Sequence, residues 1–244
     1  MKVAHLLIVW CVIAPVLEGQ NSRSPRQTGH LARSDKIHPT MILWNTGLVE
    51  TITPALLDGR KTWRITHYPQ NPVDSSTNDY DLYDLDQSTF APLRSVMNNE
   101  ESHLELLFAE KEVTFCQTRG KETVTEQVPL AGPVEPEGPG LDVFVARLPL
   151  AVGYKTHYAI VDRWGGHGST RVKTMTLSVS NQFHRNTPLG RLELYDVLIR
   201  PDDGSFQISE QVFAHGPHFP VRVEYTREGK TYPASEVIAF VSAM

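Results

Sequence analysis

The densest chemistry in the chain is the run Asn78-Asp79-Tyr80-Asp81-Leu82-Tyr83-Asp84-Leu85-Asp86, which sets four carboxylates within eight residues. As a calcium loop it lacks two parts. An EF-hand needs glycine at its sixth position and a bidentate glutamate at its twelfth, and counting from Asp79 those positions hold Asp84 and Phe90. Laid on a strand, the run puts Asp79, Asp81 and Tyr83 on one face and Tyr80, Leu82, Asp84 and Asp86 on the other. The four acids then do not converge, and we read residues 79 to 86 as a strand entering the polar turn before Ala91-Pro92. His215-Gly216-Pro217-His218 offers two imidazoles three positions apart, but glycine and proline preclude the helix that would align them. A zinc site needs a third protein ligand, and nothing in the spacing selects among His67, His103, His157, His167 and His184. We therefore expect no metal and no cofactor.

Nucleophilic chemistry is equally thin. Cys116 follows Phe115 in an alternating stretch, whereas a reactive thiolate wants an electropositive setting and a base. It reads as an inert, packed or half-exposed thiol, with an intermolecular disulfide and catalysis as the alternatives. No Gly-x-Ser-x-Gly elbow is present. Gly166-His167-Gly168-Ser169 follows Arg163-Trp164-Gly165 in what reads as a hairpin tip, with no helix after Ser169 to supply oxyanion amides. Asp84, Asp86, His215 and His218 are left as acid or base candidates, and no spacing singles out a pair. The expectation is a protein that is not an enzyme, with no catalytic residue assigned and its ligand-binding residues unknown.

The elements that must carry these residues repeat with a period of two. Trp63, Ile65 and His67 alternate with Thr62, Arg64 and Thr66; Leu104, Leu106 and Phe108 alternate with His103, Glu105 and Leu107; Val113 and Phe115 alternate with Thr114 and Cys116. The same holds downstream for Lys173, Met175, Leu177 and Val179, and for Val221, Val223 and Tyr225. Such stretches suit antiparallel strands with one face on a core and one toward water. Turn signals punctuate them at Asp58-Gly59, Arg119-Gly120, Gly165-Gly166, Asp202-Asp203-Gly204 and Glu228-Gly229. The strongest hairpin joins Leu192–Ile199 to Phe206–Phe213. Pro133 to Gly140 reads as a long loop within one sheet rather than a linker, and Leu141 to Leu148 as one short helix or a strand. The fold class is all-β with a minor helix. About ten antiparallel strands should form one large meander, curled by strand twist into an open or half barrel.

With 244 residues, 16 Gly, 17 Pro, 2 Cys and a net charge of −5, composition excludes a collagen-like, wholly disordered or disulfide-stapled chain. Mild acidity gives no counterion-release drive toward nucleic acid, so no nucleic-acid partner is expected. Residues 1 to 19 read as a signal peptide: Lys2 supplies the positive start, Val3 to Leu17 are apolar apart from His5, and Gly19 is small. No later segment approaches 18 consecutive apolar residues, so no transmembrane segment is expected. Cleavage would remove Cys11 and leave Cys116 as the one thiol, in a product exported to the periplasm or the extracellular space. Residues 20 to 40 read as a flexible basic tail, and residues 41 to 244 as a single β-sheet domain with its Pro/Gly-rich loop at 133 to 140. The charge is unevenly placed. Residues 20 to 40 hold four bases and one acid, against ten acids and two bases between Asp74 and Glu112.

Several corners together carry a likeness. Leu85-Asp86-Gln87-Ser88-Thr89-Phe90-Ala91-Pro92-Leu93-Arg94-Ser95, Leu148-Pro149-Leu150 with Gly153 and Tyr154, Thr187-Pro188-Leu189-Gly190, and His218-Phe219-Pro220-Val221-Arg222-Val223 resemble an uncharacterised family of exported bacterial β-sheet proteins, a domain of unknown function. The likeness spans Trp63 to Phe240. It implies an open, strongly curved barrel similar to the periplasmic lipoprotein carriers, with a concave apolar face for an apolar small molecule or lipid, and it brings no catalytic residue. Asn78-Asp79-Tyr80 is similar to an internal lipocalin box, but the upstream Gly-x-Trp is missing and that match is set aside. The expected function is an exported, non-enzymatic protein binding an apolar or lipid-like ligand on a curved sheet. An envelope structural or protein-interaction module, with an envelope protein as partner, is the alternative. A hydrolase using Asp and His comes last.

Overall fold

In the computed structural model the residues described are 37 to 69, 79 to 163 and 171 to 242. Among these residues the alternation resolves into fifteen strands rather than about ten. The first arm comprises β1 (Thr40–Trp44), β2 (Leu48–Leu57), β3 (Arg60–Pro69), β4 (Tyr80–Asp86), β5 (Pro92–Asn98), β6 (Ser102–Phe108), β7 (Glu112–Arg119) and β8 (Glu122–Pro129). One helix, α1 (Pro139–Ala146), follows. The second arm comprises β9 (Lys155–Val161), β10 (Val172–Thr187), β11 (Gly190–Pro201), β12 (Phe206–Phe213), β13 (Pro220–Arg227), the short β14 (Lys230–Thr231) and β15 (Ser235–Ser242).

Every pairing is antiparallel, and the order is β8-β7-β6-β5-β4-β3-β2-β1-β15-β13-β12-β11-β10-β9, with β14 on β13. Each arm is a meander. The departure from a simple meander is β15, which returns to lie between β1 and β13. It pairs with β1 over five positions and with β13 over two, Arg222 with Glu236 and Val223 with Ser235. The expected hairpin is present, with Ile199 opposite Ile208 and Leu194 opposite Phe213. Among the described residues no ladder joins the terminal strands β8 and β9, and the sheet is not closed.

The ends nevertheless approach, as twist accumulated over many strands requires. Val161 of β9 packs with Leu106, Val113 and Phe115 of the first arm. The Arg171 guanidinium lies 4.2 Å over the Phe115 ring and donates to Glu126 at 3.0 Å. Inside the curl runs α1, which settles the helix-or-strand alternative. Pro139 and Gly140, the last two residues of the expected loop, already belong to it, and all eight of its residues are buried. Leu141, Phe144 and Val145 join the core of β9 to β12, while Val143 and Ala146 join that of β1 to β4. A helix sheathed on both sides has no solvated face, so its sequence is apolar throughout except at Asp142. Each large side chain it buries contributes about 1.5–3 kcal/mol. The folded region also starts before residue 41, since Ile37 is buried and Thr40 opens β1. Among the described residues no helix is long and apolar enough to cross a membrane.

Candidate functional site

Three acids interrupt the apolar alternation of the inner surface. Glu50 lies between Leu48 and Ile52 on the inner face of β2, Glu210 lies between Ile208 and Val212 on that of β12, and Asp142 follows Leu141 in the first turn of α1. A period of two sends each strand acid inward with its apolar neighbours, and the helix brings Asp142 to meet them. All three line one cleft of about 310 Å³. Their exposures are 1%, 2% and 9% for Glu50, Glu210 and Asp142. Trp44, Leu48, Leu141, Ile208, Val223 and Tyr225 form apolar walls around them. A second lobe of about 220 Å³ shares Gly138, Leu141, Arg163, Ile208 and Tyr225 with the first, and reaches Tyr158, Met175 and Phe206.

Burial without a cation sets the electrostatics. No N–H or hydroxyl donor reaches either Glu50 oxygen or Glu210 Oε2, and Glu50 and Asp142 lie close enough to share a hydrogen bond once one of them carries a proton. Burial pushes the Glu50 carboxyl well above the usual carboxylate range, and the charges of Asp142 and Glu210 push it further. Glu210 is raised by burial and then by Asp142, and burial lifts Asp142 to about 7. Charging three such groups together in a dry cleft is unfavourable, so the cluster retains protons at neutral pH, Glu50 and Glu210 more firmly than Asp142. Directly across from Glu50 stands His67 of β3. Burial lowers the pKa of that imidazole, which is therefore uncharged, and its Nε2 is also unpartnered.

The guanidinium of the first lobe, Arg163, is engaged through Nε and Nη2 while its Nη1 has no partner, and Lys173 and Arg227 line the second lobe. Arg163 is 3% exposed at its side chain, donates from Nε to Glu137 at 2.8 Å and lies 3.5 Å from Asp81. Its charged plane sits 5.3 Å from the Tyr83 ring centre. Burial pushes Glu137 up to about 7 against the opposing pull of Arg163. Gly138 makes room for this cluster. Its φ of +55° favours glycine, and a Cβ there would run into the Arg163 guanidinium.

The acid and base candidates read from the sequence lie elsewhere. Asp84 and Asp86 point to the opposite face of β4 from Asp81 and Tyr83, as strand alternation requires. There Asp84 takes a two-pronged hydrogen bond from Arg64, and Asp86 pairs with Arg60. His215 meets Glu193 at 2.7 Å on the surface. His218 bonds the Phe213 carbonyl through Nδ1 at 2.7 Å, and burial lowers its pKa. Cys116 is a half-buried free thiol in β7. Among the described residues no group of three His, Cys, Asp or Glu is placed to hold a metal ion. The Gly165-Gly166 turn and the Ser169 motif fall outside the described residues, as do the signal segment and residues 20 to 36 of the basic tail.

Sequence reasoning therefore passed over Glu50, Glu210, Asp142, Glu137 and Arg163. The signal was an acid in the apolar phase of an alternation, Leu48-x-Glu50-x-Ile52 and Ile208-x-Glu210-x-Val212. No protein-family model matches the chain. No curated protein and no solved structure matches it either.

Proposed function

We propose that this chain is an exported, non-enzymatic binding protein that holds a small molecule with an apolar body and a polar head in the cleft between α1 and the inner face of the sheet. The observation that carries this reading is a cleft with apolar walls around three buried acids, in which no protein N–H or hydroxyl donates to Glu50 or to Glu210 Oε2 and a proton shared between Glu50 and Asp142 is the one internal bond. Buried polar groups are hydrogen-bonded as a rule, and a ligand head would complete these. Apolar walls with a few convergent polar groups are the usual make-up of a small-molecule site. The signal-like segment at residues 1 to 19 and the likeness to exported open-barrel carriers support the address and the mode of action.

Nile red, a neutral fluorophore, tests the cleft without reference to charge. Enhanced, blue-shifted emission is expected with the wild-type protein. It should be lost in Ile208→Trp, which fills the cleft, and kept in Val124→Trp on exposed β8, with circular dichroism confirming that both variants fold. Equal emission from all three would overturn the reading, as would none from the wild type. Val223→Trp fills the same cleft from β13 and replaces Ile208→Trp if that variant does not fold.

A second reading, an envelope interaction module, draws on the unpaired edge of β8, where six of eight residues are exposed. Such an edge is a ready template for strand addition. Saturable binding of an extended partner peptide that survives Ile208→Trp would favour it.

A further inference from the structure

Building on the reading of the cleft as a ligand site, we propose that its ligand is an organic ammonium ion, whose charged head sits among Glu50, Asp142 and Glu210 and whose apolar body lies along Leu141, Ile208 and Tyr225. Three carboxyls from three separate elements line one space, and the charges that act on Glu50 are those of the other two, Asp142 and Glu210. Arg163, the guanidinium lining this lobe, is turned to Glu137 and Asp81. The cation that would satisfy the cluster is therefore absent from the cluster's own surroundings, and the cleft is the route by which one could arrive.

An independent observation comes from Trp44. Its side chain lines the same cleft and is 4% exposed, and its Nε1–H has no acceptor. A buried indole N–H normally finds a partner. A ligand oxygen near the ammonium group would provide one, and the Trp44 and Tyr225 rings suit a cation. The same walls argue against a bare metal ion. They offer apolar surface where a metal would need ligands, and no metal-holding group of His, Cys, Asp or Glu is present among the described residues.

The proton balance is explicit. A neutral carboxyl gives its proton to solvent, and the carboxylate that results pairs with the incoming R–NH3+; no covalent bond forms or breaks in the ligand. Glu50 of β2, Asp142 of α1 and Glu210 of β12 supply the protons. His67 of β3, Asp81 of β4, Arg163 after β9 and Tyr225 of β13 are the other titratable or charged groups facing the space, and Tyr158 of β9 faces Glu210. Binding must therefore release protons and strengthen as the pH rises from about 5.5 to about 8.

Isothermal titration calorimetry in buffers of different ionisation enthalpy reads both affinity and proton release. The probes are phenethylamine and hexylamine, each beside its alcohol and its carboxylic acid. At least one amine should bind with proton release and roughly ten- to hundredfold tighter than its alcohol, while phenylacetate and hexanoate should not bind. Glu50→Gln and Glu210→Gln, which keep shape and lose charge, should each weaken the amine by at least about tenfold while unfolding no more readily than the wild type. Equal binding of amine and alcohol, or tighter binding of an acid, would sink the ammonium proposal and leave the cleft a ligand site. Failure of both amines while Nile red binds and Ile208→Trp blocks it would do the same. Failure of the amines together with Nile red would remove the underlying reading as well.

Discussion

Asp84 and Glu50 are equally shut from water, 0% and 1% exposed, and lie on the same arm of the same sheet. They nevertheless live in opposite electrostatic worlds. The residue opposite Asp84 in the neighbouring strand is Arg64, which grips the carboxylate with Nε at 2.8 Å and a second nitrogen at 3.1 Å. The residue opposite Glu50 is His67, uncharged and unbonded at Nε2, and the other charges about Glu50 are acids. Burial is common to both sites, so the cross-strand partner decides the outcome. A paired buried acid fastens two strands. An unpaired one adds nothing to the fold in its charged form, and its presence makes sense through something that arrives.

The largest effect separating the two sites is a pH dependence. Glu50, Asp142 and Glu210 are raised in the folded protein, so the folded state binds more protons than the unfolded one over that range. Their favourable contribution is complete below about pH 4 and is lost as the pH rises through the folded values, about 7 for Asp142 and well above the ordinary carboxylate range for Glu50 and Glu210. For Asp142 alone, lifted from an ordinary value of 3.8 to about 7, the loss is on the order of 4 kcal/mol. Chemical denaturation of the wild type at a series of pH values should show stability falling toward pH 8 relative to a variant carrying Glu50→Gln, Asp142→Asn and Glu210→Gln. Other titrating groups cancel in that difference. Parallel curves would mean that the inner acids bind protons no more tightly in the folded state than in the unfolded one.

Removing one acid from each site gives a smaller but opposite pair of effects. Asp84→Ala removes a buried two-pronged bond and leaves Arg64, whose side chain is 32% exposed, without its partner, and should cost about 1.5–3 kcal/mol. Glu210→Gln at pH 8 should instead raise stability by about 1–2 kcal/mol, since a neutral amide avoids the charge that the cleft cannot accommodate. Urea midpoints read both. A loss at Glu210 as large as that at Asp84 would erase the distinction between fastening and waiting acids.

How far this contrast could be seen in the sequence depends on what each feature needs. Strand alternation is local, so Trp63-Ile65-His67 and Met175-Leu177-Val179 announce their inward faces, and Asp203-Gly204 announces its hairpin. The separation of Asp81 from Asp84 and Asp86 followed from the same period. What periodicity lacks is distance across the chain. Glu50 and Glu210 are 160 positions apart in sequence, and they share a cleft because β15 inserts between β1 and β13 and closes the two arms into one sheet. No local pattern in Ser235–Ser242 foretells that insertion. The α1 segment was ambiguous for a related reason: an element buried on both sides carries no polar stripe, so its period is invisible. Asp142 was the exception within it, and an acid inside an apolar run is the mark that deserved the weight given to the Asp79 to Asp86 cluster.

The finest distinction between the sites lies in how a paired acid is held after its strand ends. Asp86 accepts hydrogen bonds at Oδ1 from the backbone N–H of Ser88 and Thr89, at 3.0 and 2.7 Å, and from both hydroxyls, at 2.6 and 2.9 Å, while Arg60 donates to Oδ2 at 2.7 Å. These bonds outweigh the effect of burial and hold its carboxyl well below the ordinary range. The sign is therefore the reverse of that at the inner cluster: the contribution is present above the ordinary carboxylate range and is lost as the pH falls through the folded value. The same turn holds Phe90, whose N–H donates to the Asp86 carbonyl at 2.8 Å and whose φ of +60° is uncommon for a side chain of that bulk. Thr89→Val keeps the shape and the backbone donor but removes one hydroxyl, and should cost about 1 kcal/mol at pH 7. The deficit should shrink in acid, where protonation removes the acceptor charge from wild type and variant alike. An undiminished deficit in acid would place the Thr89 hydroxyl's contribution in packing, and leave Arg60 and the backbone amides to hold the charge of Asp86.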